Sequence, residues 1–448
     1  MLRTTLLVAL SGAALIPLPA SAQMHDHAGM NHDMAPPAPA PTAAPPIPAH
    51  SDHMSTAEHA AMGHGGAMSD QPAAFETGSG TSRLPGAVPS MPGIHVMAGD
   101  WMVMAHGFVT TQYTDHSGPR GSDKVYSTSM AMLMAGRDTG FGHLQLRSMM
   151  SLEPAMSARG YPNLFATGET ANGEPLVDRQ HPHDLFMELA ARIDFNLGSD
   201  TTAYLYGGPV GEPSLGPSAF MMRRSSRLNP EPPITHHWFD STHITYGVVT
   251  AGLSSGKWQL EGSAFRGAEP DERRWNIETP KLDSWSVRAS WTPSPRWAVQ
   301  ASYGKLEQPE ALHPGEDEKR LTASAHYDNG EGLSAMAAFS SKNRVPGATL
   351  TAWLAEANWD LDQHNTLFGR LENVANDELF PDHDDPLHDQ TFRVSKVQAG
   401  YARRFRLDPF ELALGGSLSG YLKPDALNAA YGNNPWGYTL FARLILGR

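Results

Sequence analysis

The residues best suited to chemistry crowd the start of the chain, where histidine and methionine alternate. Met24, His25, His27, Met30, His32 and Met34 form one cluster. A second holds His50, His53, Met54, His59, Met62, His64 and Met68. Thioethers favour cuprous copper and imidazoles suit cupric copper, so this stretch can hold the metal in either oxidation state. Thiolate sites and disulfides are excluded, because the chain has no cysteine.

Further along, histidine stands beside carboxylate twice. One set is His181, His183 and Asp184; the other is His383, Asp384 and His388. Imidazole with carboxylate suits borderline divalent metals, although the spacing fixes no zinc geometry. A third set is basic: Arg223, Arg224 and Arg227, followed by His236 and His237. Lining a constriction, such residues would disfavour cations. No motif presents an activated nucleophile, so no enzyme is expected.

Three kinds of segment carry these residues. Arg3, the apolar run from Leu6 to Leu18 and the small residues Ala20-Ser21-Ala22 read as an export signal over residues 1–22. Residues 23–99 are rich in proline, alanine, histidine and methionine, which predicts an arm without a packed core. From residue 100 to 448 apolar and polar residues alternate. Trp285, Val287, Ala289 and Trp291 oppose Ser284, Ser286, Arg288 and Ser290. Leu185, Met187, Leu189, Ala191 and Ile193 oppose Glu188, Arg192 and Asp194. Runs of roughly 10 to 14 residues match tilted transmembrane strands rather than ordinary ones.

Counting such runs predicts an all-β fold, a transmembrane antiparallel barrel of about sixteen strands. The expected starts are Trp101, Val125, Gly140, Asp184, Thr201, Ser241, Lys257, Lys281, Arg296, Lys319, Gly332, Leu350, Asn365, Phe392, Phe410 and Trp436. Short turns alternate with long loops, the asymmetry of outer-membrane barrels, which places both termini and the arm in the periplasm. Trp101, Trp258, Trp291, Trp297 and Trp359 fall at one end of the strands and Trp285, Trp353 and Trp436 at the other, as aromatic girdles would. Inward positions include Arg147, Arg192, Arg288, Arg370, Lys396, Arg404 and Arg443. Facing acids are Glu188, Asp194, Glu261, Glu356, Asp360, Glu372 and Glu411, so the wall should neutralise itself. The chain carries 33 basic and 47 acidic side chains, a net charge of −14, which argues against nucleic acid as partner.

The long loop after the fifth strand, Val210 to Asp240, resembles the inward-folding loop of sixteen-stranded general porins. That resemblance implies that Arg223, Arg224, Arg227, His236 and His237 narrow a channel. The arm, as in Met24-His25-Asp26-His27 and His50-Ser51-Asp52-His53-Met54, resembles the Met/His-rich stretch of B-type outer-membrane copper-resistance proteins. It implies copper tolerance by sequestration or export, with periplasmic copper carriers as possible partners. A general diffusion porin with an incidental arm is the alternative. Either reading needs outer-membrane lipid and the barrel-assembly machinery; a homo-oligomer is compatible with both.

Overall fold

The computed structural model describes residues 75–87 and 93–447. The export signal and the clusters from Met24 to Met68 lie outside the described residues. Sixteen strands close into an antiparallel barrel. They are β1 Trp101–His116, β2 Asp123–Thr139, β3 Gly142–Met150, β4 Phe186–Asn196, β5 Thr201–Gly211, β6 Thr245–Ser255, β7 Trp258–Phe265 and β8 Ser284–Ser294. There follow β9 Trp297–Leu306, β10 Asp317–Asp328, β11 Leu333–Val345, β12 Thr349–Asp360, β13 Asn365–Asn376, β14 Phe392–Leu407, β15 Phe410–Leu422 and β16 Trp436–Leu446. Every starting residue lies within four positions of the one expected from the pattern.

Each strand pairs with its neighbours in sequence, and β16 closes on β1 with Leu446 opposite Gly107. That register leaves the first turns of β1 uncovered. A short strand, Ile94–Ala98, pairs with Trp101–Ala105 and fills the gap. Closure satisfies the backbone donors and acceptors internally, the condition for crossing lipid.

The outward face carries the apolar half of the alternation. Leu133, Leu205, Val249, Leu260, Leu371, Leu418 and Leu440 are all exposed, as are Trp258, Trp285, Trp291, Trp353 and Trp436. An exposed apolar belt this extensive is incompatible with water and matches hydrocarbon. One strand departs from the simple alternation. Met187, expected on the lipid face, is fully buried inside, because a bulge between Phe186 and Glu188 inserts a residue into the β3–β4 ladder.

The arm also differs from expectation within its described part. Phe75–Thr77 and Arg83–Pro85 pair as a hairpin, and residues 79 to 85 are buried. The hairpin stands inside the barrel. Arg83 donates to Gln259 at 2.9 Å and to the Lys257 carbonyl at 3.2 Å, at the short-turn rim. Its turn reaches the middle, where the Gly80 and Gly78 carbonyls accept from Arg147 at 2.6 and 3.2 Å. Polar composition predicts no core for this segment, yet luminal guanidinium groups satisfy its backbone.

Candidate functional site

Sixteen-stranded porin barrels enclose an aqueous channel. Here the hairpin and the long loops occupy that space. The loop after β5 crosses from its own strand to the far wall. Arg223 bonds Glu356 of β12 at 2.7 Å, Asn229 bonds Gln398 of β14 at 2.6 Å, and Thr235 bonds Glu372 of β13 at 2.9 Å. Glu231 gathers Lys396, Ser417 and Thr439 at 2.8, 3.0 and 2.7 Å. The hairpin and this loop meet where the Ser79 and Ser218 hydroxyls approach to 3.1 Å. A cavity of about 30 Å³ lies beside the crossing loop, lined among others by Phe108, His183, Met221 and Arg443.

The inward loop expected from the sequence is therefore present, but its charges do not ring an open channel. Arg223 is enclosed between Glu356 and Asp240, at 2.7 and 3.0 Å. Arg224 pairs with Glu76 of the hairpin at 2.8 Å, and Arg227 with Glu411 at 2.5 Å. His236 and His237 lie elsewhere, in a histidine cluster. On the wall, Arg288 pairs with Glu261 at 2.9 Å and Arg147 with Glu188 at 3.3 Å. These pairs join adjacent strands, so these wall charges are neutralised locally.

The hairpin's seat includes one group that senses pH. Glu212, just beyond β5, backs onto Gly80, where an added Cβ would stand 2.9 Å from the Glu212 Cβ. Burial pushes its carboxyl from 4.5 up to about 8, with Glu188 and Asp240 adding to the rise and Ser79 and Arg288 opposing it. A carboxyl raised in the folded state contributes stability that is complete below about 4.5 and lost as pH climbs through about 8. Protease cleavage within residues 75–87 should therefore increase from about pH 4.5 to about pH 8. Glu212→Gln should flatten that rise, and an unchanged profile in this variant would remove Glu212 from the seat.

Toward the long-loop rim, five histidines come together. His181 and His183 arrive on the loop after β3; His236, His237 and His243 arrive on the loop after β5. All are between 2% and 6% exposed. Ring centroids are 6.1 Å apart for His181 and His237, 5.4 Å for His183 and His243, and 5.1 Å for His236 and His243. Gly168 permits this packing, since a Cβ there would lie 2.7 Å from the His237 ring at a φ of +110°.

Acceptors fix the rings. His183 Nδ1 faces Glu153 at 2.9 Å, His236 Nδ1 faces Asp240 at 2.8 Å, and His243 Nδ1 faces the Asp240 carbonyl at 2.7 Å. Burial drives His181 and His243 well below the ordinary imidazole range, helped by neighbouring cationic groups. Burial opposes charge on His237 as well, but Glu269, Glu169 and Glu310 outweigh it and raise the ring to about 9.

The lumen also holds a methionine cluster. Met104, Met130, Met132, Met149, Met187 and Met222 pack together, all buried, on the inner face of β1–β4 and the crossing loop. The strand residues among them occupy luminal positions that porin-like walls fill with polar groups.

Of the other candidates, Asp184 is held by Arg274 at 3.1 Å and by Tyr246 at 3.1 Å. His383 and His388 approach to a centroid distance of 4.4 Å on the β13–β14 loop, with His383 and Asp384 exposed. Among the described residues this trio joins no three-ligand group. The partners that sequence reasoning missed are Glu153, Glu169, His243, Glu269 and Glu310. Only the His236–Asp240 and Asp240–His243 spacings, one helical turn each, signal local pairing.

Strand number, apolar belt and inward loop define an outer-membrane barrel of channel-like fold. No family model and no curated protein matches the chain. Among solved structures it is similar to an anion-selective porin from Comamonas acidovorans, at 12% identity, covering 77% of this chain and 100% of that one, with a TM-score of 0.47. It is also similar to Salmonella typhi OmpF in complex with daunomycin, at 7% identity, 78% and 100% coverage and a TM-score of 0.49. Pseudomonas putida OprB gives 9% identity, 77% and 94% coverage and a TM-score of 0.48.

Proposed function

We propose that this outer-membrane barrel binds copper and serves copper resistance or export. The observation that carries the reading is the pairing of thioether with imidazole, which recurs in two places. The arm alternates them from Met24 to Met68, and the lumen holds both a cluster of six buried methionines and a cluster of five buried histidines. Soft thioethers suit Cu(I) and imidazoles suit Cu(II). In this reading the arm lies in the periplasm, takes copper from soluble carriers, and the barrel forms the outer-membrane stage. A strain lacking the protein should lose copper tolerance, and the full-length chain should restore it. A chain with the arm histidines and methionines replaced should restore it poorly. Unchanged tolerance in the deletion strain would end this reading.

A general diffusion porin is the second reading, favoured by the sixteen strands and the inward loop after β5. It expects steady conductance from the intact protein in a planar bilayer and no copper phenotype.

The arm reading makes a chemical prediction at its first residues. If processing follows Ala22, the chain begins Gln23-Met24-His25. A free amine, two deprotonated amides and the His25 imidazole then offer four planar nitrogens, a geometry for Cu(II) or Ni(II). A peptide spanning residues 23–34 should show a visible d–d band with Cu(II). N-acetylation or His25→Ala should abolish it; a band surviving both changes would mean diffuse binding by the remaining ligands.

A further inference from the structure

We propose that Glu169, His181 and His237 form a binding site for a borderline divalent cation, zinc(II) or copper(II), in the long-loop half of the lumen. One ligand atom from each of the three lies within 4.8 Å of the others, and all three residues are largely shielded. The set combines two imidazoles with one carboxylate, the donor mix of zinc and cupric sites rather than of calcium or magnesium.

The unpaired atoms point to a ligand. His181 Nε2 and His237 Nδ1 are buried without a hydrogen-bond partner. Glu169 Oε1 lies 3.0 Å from His181 Nε2, and Glu269 Oε1 lies 3.4 Å from His237 Nδ1, but neither contact is aligned as a hydrogen bond. A cluster built only for packing would pair these atoms. Instead they converge on one another.

The surroundings prepare the donors. His181 Nδ1 faces the Pro182 carbonyl at 3.0 Å, which holds the proton there and turns the Nε2 lone pair into the site. Arg274 binds Glu169 Oε2 at 3.0 Å and leaves Oε1 facing His181 Nε2. His183 and His243 present further buried, unpartnered Nε2 atoms in the same histidine cluster, outside the three-ligand group. The neighbouring trio of Glu310, His313 and Glu378 is different. Lys342 and Arg344 already bind it, so it is closed to a cation.

The site is separate from the arm, so its failure and that of the copper-tolerance reading can be told apart. The test uses the full-length chain in detergent, with zinc as probe and a chromophoric chelator as competitor. Replacing His25, His27, His32, His50, His53, His59 and His64 by alanine removes the imidazoles of the arm's two His/Met clusters; this variant should retain one tight zinc, with imidazole scattering in its X-ray absorption spectrum. Adding His181→Gln and His237→Gln should weaken that zinc at least about 100-fold, the upper end of what losing an outer-shell partner costs. Glu169→Gln, which keeps the side-chain volume, serves if the double replacement disturbs folding, with heat-modifiable gel migration as the check on the barrel. No tight zinc in the arm-replaced variant, or undiminished binding in the folded Glu169→Gln chain, would overturn the site.

Discussion

Deleting residues 75–87 together with residues 218–231 is expected to convert a closed barrel into a conducting one. The wall encloses enough space for an aqueous channel, and two independent segments fill it. The hairpin holds the short-turn half through Arg83, Arg147 and Arg288, the last donating to Thr81 at 3.0 Å. The crossing loop holds the middle and the far wall through Arg223 and Glu231. Either deletion alone leaves the other obstruction standing. The double deletion should therefore exceed each single one by about an order of magnitude or more in planar-bilayer conductance. Intact protein that already conducts at the double-deletion level would favour the diffusion-porin reading. A silent double deletion would mean that other loops seal the lumen.

The second large effect concerns Glu356. Its two oxygens serve two guanidinium groups, Arg223 at 2.7 Å and Arg370 at 3.0 Å, with Ser225 at 2.9 Å. Both arginines are among the most deeply buried side chains in the molecule. Glu356→Ala leaves two desolvated cations short of a partner, and breaking such a pair costs about 3–5 kcal/mol. Arg223 retains Asp240 at 3.0 Å, so the loss should fall mainly on the docking of the crossing loop and not on the strand ladder. The expected result is a lowered midpoint of thermal unfolding and new protease cleavage between residues 212 and 244. Combining Glu356→Ala with Arg370→Met should recover part of the loss, because the Arg370 charge is then gone while Arg223 still holds Asp240. A single substitution that neither exposes the loop nor lowers the midpoint would contradict this account.

The barrel was legible in the sequence because each strand carries its own evidence. Trp285, Val287 and Ala289 against Ser286 and Arg288 determine a face without reference to any other part of the chain. Charges such as Arg288, Glu356 and Arg370 could be assigned inward for the same reason. Met187 could not, since a bulge breaks the alternation that makes the assignment, and nothing local announces it. The hairpin was invisible for a different reason. Its partners, Arg147, Gln259 and Arg288, stand 67, 176 and 207 residues away from the atoms they hold, and its own composition has no period. The histidine cluster shows both limits. His181, His183, His236 and His237 stood out as residue types, but their assembly with Glu169, Glu269 and His243 depends on how separate loops fold into one lumen.

The hairpin's orientation has a mechanical consequence. Phe75 and Pro85 are paired at its open end, on the side of the short-turn rim, and the turn points into the barrel. A tension applied through residue 74 therefore acts at the open end of the ladder and loads its three backbone pairs in succession, as in a zipper, rather than all at once in shear. Sequential loading fails at low force. An isolated two-stranded hairpin is marginal in water, so the withdrawn segment would not keep its shape. Extraction then starts at Phe75 and reaches the bonds from Arg147 and Arg288 last, whereas going back requires the ladder to form again against the luminal arginines.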